Sequence, residues 1–379
     1  MIKKILFISN EGSRTGAPLI LLHLLKWLNK NTERIQFDVL LIKGGAIADD
    51  FRKECANTFV YSELYKPEKF IEIATKKFLE KFGLKQKQKA LFFIENIASN
   101  NYDIIYSNTI VSIPIAVKIK KYCQNSKLIV HVHELNTIIK MALPDFYNYK
   151  NYIDKYLAVS HQVKENLVSN WEVNKNAIDV IFPFSLFKFD KANILKESEI
   201  FTVGASGTAH WPKGVDVFIQ IANYVAKKYP QAKINFVWVG NNLTNKYLIE
   251  DDIEKLGLKE VVSFVGEQTN PIDFYRNFDV FLLTSREDSF PIVCIEAANL
   301  KKPIICFEKA SGTAEVIEKG GGFVVPYLDI EAMGEKIIYY YNSPSKMNEE
   351  GLRAQELFAD FTPEKICPLL YEQINSLIK

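Results

Sequence analysis

Short apolar runs alternate with segments of helical periodicity along the whole chain. Runs of four to seven apolar residues are typical of strands that are buried on both faces of a parallel sheet. Strands that alternate with helices form βαβ units, and two such series indicate an α/β fold with two Rossmann-like domains. The predicted strands span residues 4–9, 37–42, 59–62, 104–107, 128–133, 156–160 and 178–182, then 201–204, 234–240, 261–266, 280–284, 304–307 and 323–326.

A length of 379 residues suits two domains, each with a core of its own. We predict a first domain over residues 1–188 and a second over 189–362, because a polar run at 187–198 has the composition of a linker. Residues 363–379 are predicted to form a terminal helix, because four apolar residues have helical spacing there: Leu369, Leu370, Ile374 and Ile378. The sequence leaves open which domain this helix contacts, and a return to the first domain is one option.

Composition narrows the class of protein. The 47 basic and 45 acidic residues give a net charge of +2, which argues against nucleic acid as a partner. The five cysteines are odd in number and far apart, which favours neither a disulfide framework nor a zinc site and fits a cytoplasmic location. No run approaches the ~20 apolar residues that span a bilayer. Six lysines between Lys76 and Lys89 predict either a solvated helix face or a peripheral contact with anionic lipid at the inner face of a membrane.

Two carboxylates flank a predicted strand-to-helix turn in the second domain. Asp288 and Glu296 follow the strand at 280–284, and carboxyl ends of strands are where open α/β sheets bind ligands. We expect Ser289 to cap the next helix and Pro291 to lie in its first turn. Glu296 has apolar neighbours in sequence, so its charge needs a hydrogen-bond donor, and a pair of ligand hydroxyls would serve.

The second domain opens with a glycine-containing loop between a strand and a helix, residues 204–214. Gly207 and Thr208 lie within it, and Lys213 stands at the predicted helix start, where backbone N–H groups favour anions. The loop is therefore a candidate phosphate cradle, or else an ordinary turn with a solvated lysine. It lacks the Walker pattern G-x-x-x-x-G-K-[ST].

The first domain opens in a similar way, with Gly12 and Gly16 between a strand and an apolar helix. Their spacing differs from the dinucleotide fingerprint G-x-G-x-x-G, which counts against a dehydrogenase. His131 and His133 alternate along a later strand and so share one face of the sheet. They could bind a metal, although no third ligand is evident, or His133 could bind a substrate, or both could be structural.

Two further acidic residues precede or begin predicted helices. Asp329 is expected to cap the helix that follows it. Glu315 is expected either to interact with the dipole of its own helix or to approach a ligand.

Together these features resemble the GT-B retaining glycosyltransferases of family 4, also called glycosyl transferases group 1. The family signature E-x7-E, with Phe-Pro inside it, is matched by Asp288 and Glu296, so an aspartate replaces the first glutamate. The family's Lys-Gly pair is matched by Lys213 and the glycine after it. The family's arginine shortly before that lysine has no counterpart here. Gly16 resembles the family's N-terminal glycine loop, and His133 followed by a glutamate resembles its His-Asp pair.

The resemblance implies a role for each of these residues. Glu296 would accept hydrogen bonds from a ribose, Lys213 would neutralise a diphosphate, and Asp288 would contact the donor sugar. The other implied donor-binding residues are Gly207, Thr208, Ser289, Phe290, Pro291 and Gly16, while His133 would act from the first domain across a cleft.

The implied activity is transfer of a hexose-type sugar with retention. The donor would be a nucleotide-diphosphate sugar of the UDP or GDP type, and the acceptor a glycan or a lipid-linked glycan, as in cell-surface polysaccharide synthesis. No metal or other cofactor is expected, since lysine and helix N-termini would stabilise the leaving group. A nucleotide-sugar epimerase of the same fold and a non-catalytic nucleotide-sugar-binding protein are the alternatives.

Overall fold

A computed structural model describes residues 2–65, 88–187, 199–241 and 246–377. Within these residues the chain forms thirteen strands in two sheets, and every strand pairs in parallel with its neighbours. Each predicted strand overlaps one that is observed, so the predicted α/β fold with two Rossmann-like domains is confirmed. The apolar runs were sufficient for this prediction because parallel strands are covered by helices on both faces.

The first sheet has seven strands in the order β3-β2-β1-β4-β5-β6-β7. Their bounds are β1 Lys3–Glu11, β2 Ile35–Lys43, β3 Thr58–Val60, β4 Ile104–Asn108, β5 Lys127–Val132, β6 Lys155–Ala158 and β7 Ile178–Val180. In the register of β1 with β4, Phe7 lies opposite Tyr106, and both side chains are fully buried. Strand order reverses between β1 and β4, so the loops after these two strands leave the sheet side by side.

Within the described residues, seven helices accompany this sheet. They are α1 Gly16–Asn31, α2 Ala48–Glu54, α3 ending at residue 98, α4 Ile113–Tyr122, α5 Asn136–Ala142, α6 His161–Trp171 and, at the far end of the chain, α14 Pro363–Ser376. Helix α1 has an apolar face with five leucines and an isoleucine buried, and α14 packs against α1, with the rings of Trp27 and Tyr371 6.1 Å apart.

The second sheet has six strands in the order β10-β9-β8-β11-β12-β13. Their bounds are β8 Phe201–Ser206, β9 Ile234–Val239, β10 Val262–Phe264, β11 Val280–Leu283, β12 Ile304–Phe307 and β13 Gly322–Val325. The order again reverses in the middle, here between β8 and β11, which makes the loops after these strands neighbours.

In the described part of the second unit, seven helices belong to the sheet. They are α7 Val215–Lys228, α8 Lys246–Lys255, α9 Ile272–Tyr275, α10 Ile292–Asn299, α11 Ala314–Ile317, α12 Ile330–Asn342 and α13 Pro344–Phe358. The core on one face of this sheet joins α7 and α12 to β8, β9 and β11, with Phe218, Trp238 and Ile337 among its buried side chains.

The chain divides into two compact units. Unit 1 comprises residues 1–159, 163–181 and 363–379, and unit 2 comprises residues 160–162 and 182–362. The main division therefore falls after Ile181, earlier than the predicted boundary after residue 188, because residues 182–185 pack with the second unit. Helix α14 belongs to the first unit.

Two expectations concern segments that are largely outside the described residues. Of the lysine-rich stretch from Lys76 to Lys89, only residues 88 and 89 are described, and most of the predicted linker at 187–198 is likewise outside. None of the helices in the described part of the chain is long and apolar enough to cross a membrane.

Candidate functional site

The principal candidate site lies in unit 2, where the loops after β8 and β11 leave the carboxyl edge of the sheet. The β8 loop runs through a short 3₁₀ turn, Trp211–Lys213, into α7, and the β11 loop runs through Asp288 to α10. Backbone hydrogen bonds join the two loops, with the N–H of Arg286 donating to the carbonyl of Pro212 at 2.8 Å. Sequence order separates these loops by about seventy residues, and the strand order alone makes them neighbours.

Lys213 and Asp288 form an ion pair between the two loops. The Lys213 ammonium donates to Oδ2 of Asp288, and the Ser285 hydroxyl donates to the same oxygen at 3.3 Å. The Asp288 side chain is only 10% exposed and that of Lys213 26% exposed. The structure thus brings together the predicted phosphate-binding cation and the predicted sugar-binding carboxylate, in direct contact with one another.

Gly214 and Thr284 hold Lys213 in place. Gly214 has φ +67°, and a Cβ there would lie 2.0 Å from the carbonyl oxygen of Thr284, so only glycine fits. The Thr284 hydroxyl in turn donates to the carbonyl of Lys213 at 3.1 Å. This close approach lets the start of α7 lie directly against the end of β11.

Arg286 is a second cation at this site that the sequence did not single out. Its guanidinium donates two hydrogen bonds to the Asp216 carboxylate, at 2.8 and 2.7 Å, and a third to the carbonyl of Trp211 at 3.2 Å. Because Asp216 is in the first turn of α7, this bidentate pair fastens the β11 loop to the helix start. The signal that could have found it is an arginine three residues after the end of β11, in a loop at the carboxyl edge of the sheet.

Gly207 and Thr208 occupy the beginning of the β8 loop. Gly207 has φ +148° and lies against the aliphatic part of Lys213, while its carbonyl accepts a hydrogen bond from the indole N–H of Trp238 at 2.9 Å. Thr208 is exposed, and its carbonyl accepts a hydrogen bond from Nδ1 of His210 at 2.7 Å. The loop is therefore held by its backbone, which leaves the threonine side chain at the surface.

Glu296 lies in α10, half-buried, with one hydrogen-bond donor. The hydroxyl of Ser185 donates to its Oε1 at 3.2 Å. Burial raises the pKa of Glu296 from 4.5 to about 7, an effect that this hydrogen bond partly offsets. The expected need for a donor partner is therefore met in part by a serine, and a further donor would stabilise the ionised form.

The turn before α10 differs from the expectation. The helix begins at Ile292 with Pro291 at the N-cap position and no side-chain cap, so Ser289 does not cap it and Pro291 precedes the first turn. The reason is that the backbone of Ser289 pairs instead with the β12 loop, its carbonyl accepting from the N–H of Gly312 at 3.1 Å. Phe290 turns its ring inward and stacks on Phe361 at 5.4 Å. The Phe290 ring is thereby directed away from solvent, while Ser289 remains partly exposed.

The candidate residues of unit 1 lie at the equivalent edge of the first sheet. Gly16 begins α1, and the next residue, Ala17, accepts a hydrogen bond at its carbonyl from the side chain of Asn108 at 3.0 Å. The Asn108 amide oxygen faces Nε2 of His133 at 3.2 Å. Asn108, which the sequence analysis missed, thus links the two predicted positions. It was detectable as a polar residue directly after a buried strand.

His133 lies in a largely buried polar cluster. Its ring is 4.2 Å from that of His131, as expected for two residues on one face, and burial lowers its pKa from 6.5 to about 3. Glu134 accepts hydrogen bonds from the N–H groups of His133 and Ile110, while burial raises its pKa to about 7. In the described residues no group of three or more His, Cys, Asp or Glu side chains could hold a metal ion, so the metal alternative gains no third ligand.

Several buried polar atoms at this edge of the first sheet have no hydrogen-bond partner among the residues that the structure describes. They are Oδ1 of Asn10, Oγ1 of Thr109, Nε2 of His131 and Oδ1 of Asn136. Unpaired buried polar groups are costly, and their concentration at one edge is typical of a site that a polar ligand completes.

The remaining acidic candidates have structural roles. Asp329 caps α12, since its side chain accepts from the N–H of Ala332 at 2.8 Å, as predicted. Glu315 is in the first turn of α11, but its carboxylate also accepts from the N–H groups of His161 and Gln162 at the start of α6. Glu315 is thus at the start of its own helix, which was one of its two expected positions, and it also binds two backbone N–H groups of the same unit.

Comparison with known proteins agrees with this geometry. The chain is 26% identical over 237 residues to the capsular polysaccharide biosynthesis glycosyltransferase CapM of Staphylococcus aureus, covering 59% of this chain and 62% of that protein. It is 28% identical over 218 residues to the amylovoran biosynthesis glycosyltransferase AmsD of Erwinia amylovora, covering 56% and 60%. The matches thus span about three fifths of the length of these relatives.

Nearly the whole chain is similar in fold to solved structures. The structure of Anabaena HepE in complex with UDP and glucose has a TM-score of 0.79 at 20% identity, covering 99% of this chain and 100% of that one. Residues 187–356, which contain every candidate of the second unit except Ser185, match the family model Glycosyl transferases group 1. Over these residues the chain is therefore similar to glycosyl transferases group 1, within a protein that has two Rossmann-like domains.

Proposed function

We propose that this protein is a retaining glycosyltransferase of family 4. It would transfer a hexose-type sugar from a UDP- or GDP-linked donor to a glycan or lipid-linked glycan in cell-surface polysaccharide synthesis. The observation that carries the proposal is the placement of Lys213 and Asp288 on the two loops at the strand-order reversal of the second sheet, with Glu296 in the helix α10 that follows the second loop. The relatives in capsular polysaccharide and amylovoran biosynthesis support the class of product.

The donor would bind along these loops. The ammonium of Lys213 and the N-terminus of the fourteen-residue helix α7 would neutralise the diphosphate. Glu296 would accept hydrogen bonds from the ribose hydroxyls, which supply the donors that its single bond from Ser185 leaves missing. Asp288 and the backbone of residues 289–291 would contact the sugar, and Gly207 and Thr208 would border the nucleotide.

Donor binding would exchange the partner of Lys213. In the structure its charge is balanced by Asp288. A diphosphate brings more negative charge to the same ammonium, and the carboxylate then becomes available to sugar hydroxyls. Departure of the nucleoside diphosphate is the demanding step, and a fixed cation beside the leaving oxygen stabilises its developing charge. We propose that this stabilisation needs no metal.

The anomeric configuration would be retained if the acceptor hydroxyl attacks the sugar on the same face from which the leaving group departs. The departing phosphate oxygen would accept the proton of the acceptor hydroxyl as the new glycosidic bond forms and the old one breaks. His133 and the region of Gly16 would contribute from unit 1 on the acceptor side. His133 is suited to hydrogen bonding rather than proton abstraction, since its pKa of about 3 makes it a weak base.

The test begins with the donor alone. Calorimetry with UDP, GDP and their sugar derivatives should show binding to the wild type, and Lys213→Ala should weaken it at least tenfold, the effect of losing one charged hydrogen bond. Lys227→Ala removes an exposed lysine at the opposite end of the same helix and is the matched control. Equal binding by both variants would contradict the site.

Turnover then separates the candidate functions. With the bound donor and a panel of glycan acceptors, NMR of the anomeric proton in the product should show the configuration of the donor. Inversion would reject retention, and a changed sugar without acceptor would indicate an epimerase. Nucleotide binding with no reaction would indicate a binding protein.

Contact with a membrane is a separate proposal that depends on the lysines between Lys76 and Lys89. The wild type should sediment together with vesicles that contain anionic lipid at low salt, and it should stay in the supernatant at high salt. Replacement of the six lysines by glutamine should abolish sedimentation, and unchanged sedimentation would reject this contact.

A further inference from the structure

Ser185 connects the candidate donor site to the segment by which the chain enters unit 2. It is 4% exposed and belongs to unit 2 together with its three hydrogen-bond partners. Its backbone N–H donates to the carbonyl of Phe361 at 3.1 Å, and its hydroxyl oxygen accepts from the N–H of Phe187 at 3.1 Å. The hydroxyl itself donates to Oε1 of Glu296 at 3.2 Å. A residue outside the motifs described above thus binds the carboxylate that is proposed to hold a ribose.

The contacts of the Ser185 hydroxyl give this small network a single direction. A backbone N–H can only donate, so the N–H of Phe187 occupies a lone pair of the Ser185 oxygen. The one hydroxyl proton is then directed at Glu296, whose carboxylate can only accept. The backbone two residues along the chain therefore sets Ser185 as a donor to Oε1.

Aromatic packing keeps Ser185 at a fixed position relative to α10. The ring of Phe182 lies 5.4 Å from the rings of both Phe290 and Phe361, and the last two are stacked at 5.4 Å. Phe290 directly precedes the N-cap residue of α10, the helix that carries Glu296. The segment around Ser185 and the start of α10 therefore share one aromatic cluster, and the donor and the carboxylate cannot move apart without disrupting its packing.

Glu296 needs such a partner because a glutamate side chain is long and flexible. Helix α10 fixes its backbone, with Cys294, Ile295 and Ala297 buried around it, but leaves the side-chain torsions to be set by contacts. Ordering a glutamate side chain carries an entropic cost, which a ligand would otherwise have to meet on binding. Within the described residues, the bond from Ser185 is the one hydrogen bond donated to this carboxylate, so it orients the group before any ligand arrives.

We propose that Ser185 is a positioning residue that holds one oxygen of Glu296, so that the carboxylate is already oriented to accept hydrogen bonds from the ribose hydroxyls of the donor nucleotide. The identity of the ribose rests on the proposed function, whereas the orientation of the carboxylate follows from the contacts of unit 2 itself. Ser185 acts through Glu296 and not on the transferred sugar.

The charge state of Glu296 responds to the same contact. Burial raises its pKa to about 7, and the hydrogen bond from Ser185 opposes this rise because it stabilises the ionised form. No charged side chain of the described residues contributes to this pKa. Tyr275 interacts electrostatically with Glu296 and Cys294 lies two residues before it, but burial raises the pKa of both, so both stay neutral near pH 7. Loss of the Ser185 hydroxyl should therefore raise the pKa of Glu296 further.

The first test compares a nucleotide with and without its ribose hydroxyls. Calorimetry gives the affinity of the full-length protein for UDP, or for GDP if that is the nucleotide that binds, and for its 2′,3′-dideoxy form. Ser185→Ala should weaken binding of the complete nucleotide about tenfold, the effect of one hydrogen bond to a charged group, and leave the affinity for the dideoxy form unchanged. Equal weakening of both forms, which general damage to the site would cause, or weakening of neither would overturn the inference.

Two further variants show whether Ser185 acts through Glu296. In a Glu296→Ala background, Ser185→Ala should cause no further loss of nucleotide affinity, because the group that it positions is gone. A further tenfold loss would show that the serine acts independently of Glu296 and would overturn the inference. Ser263→Ala replaces an exposed serine in the edge strand β10 and is the matched control, which should leave the affinity unchanged.

A third readout needs no nucleotide. The ¹³C spectrum of ligand-free protein labelled at the glutamate side-chain carboxyl gives the midpoint of the Glu296 titration, and Glu296→Gln assigns the signal. The midpoint should lie near pH 7 in the wild type and about one pH unit higher in Ser185→Ala, the shift that corresponds to a tenfold effect. An unchanged midpoint would contradict the contact on which the inference depends.

The outcomes separate this inference from the proposed function. If the protein binds the nucleotide and transfers sugar, but Ser185→Ala changes neither the preference for the complete nucleotide nor the midpoint, this inference alone is rejected. If Ser185→Ala shifts the midpoint although neither UDP nor GDP binds to the wild type, the proposed function is rejected, and with it the ribose as the ligand of the oriented carboxylate.

Discussion

The carboxyl group of Glu296 should make the second unit less stable as pH rises, which is opposite to the usual behaviour of acidic residues. Its pKa is about 7 in the folded protein against an ordinary value of 4.5. The folded state therefore holds this proton more tightly than the unfolded state, and stability falls as pH rises from about 4.5 to about 7. At about 1.4 kcal/mol per pH unit, this interval costs at most about 3.5 kcal/mol, and less where water screens the half-buried side chain.

Glu296→Gln removes the titration but keeps the shape and one accepting oxygen. Urea unfolding at pH 5 and pH 8 should show a smaller loss of stability in the variant than in the wild type, by about 2 to 3 kcal/mol. Since the two units can unfold separately, the readout must report on unit 2. Replacing Trp27 and Trp171 by phenylalanine leaves Trp211 and Trp238, both in unit 2, as the fluorophores.

Glu134 also has a pKa of about 7, but it belongs to unit 1 and is present in both proteins, so its contribution cancels. A variant that loses as much stability between pH 5 and pH 8 as the wild type would refute the reasoning. It would show that Glu296 is already ionised at pH 5, and hence better solvated or better paired than its surroundings indicate.

Three further predictions concern unit 2. Asp288→Asn removes the internal partner of Lys213, so calorimetry should show about tenfold tighter UDP binding but slower transfer; weaker binding would contradict competition for the lysine. Gly214→Ala forces a Cβ against a backbone carbonyl, so it should lower the melting temperature and abolish UDP binding, and a variant of wild-type stability would contradict the close approach. Phe290→Ala should cost about 3 to 5 kcal/mol in urea unfolding because its ring is buried among three aromatic rings, and a loss below about 1 kcal/mol would contradict that packing.

The sequence predicted the strands far better than the contacts at their ends. Buried parallel strands are continuous apolar runs, so all thirteen could be located, and Asp329 could be recognised as a cap because it acts on residues next to it. Ser289 is also a residue type that commonly caps helices, but the prediction that it caps α10 was wrong. Its backbone is hydrogen-bonded to the neighbouring β12 loop instead. Local rules hold where no distant segment offers an alternative partner.

The pairings within the candidate sites were not predictable for the same reason. Lys213 and Asp288 were each identified from their place at a strand-to-helix turn and from a family motif, but their contact depends on which strands are neighbours. Arg286 and Asn108 belong to none of the motifs described above. Their hydrogen-bond partners, Asp216 and Ala17, are seventy and ninety-one residues away in the sequence. A sequence shows which residue types reach the edge of a sheet, whereas the strand order determines which of them meet.

The contact between α1 and α14 has a consequence for synthesis of the chain on the ribosome. Residues Ile366, Cys367, Leu370 and Ile374 are buried in a helix that packs on α1, which is translated more than 330 residues earlier. The first unit therefore emerges with an apolar strip of α1 uncovered, while the second unit can complete its own core before the final helix has been made. Unit 1 therefore stays incomplete until α14 has been made, and during that delay its uncovered apolar strip is open to aggregation or to a chaperone.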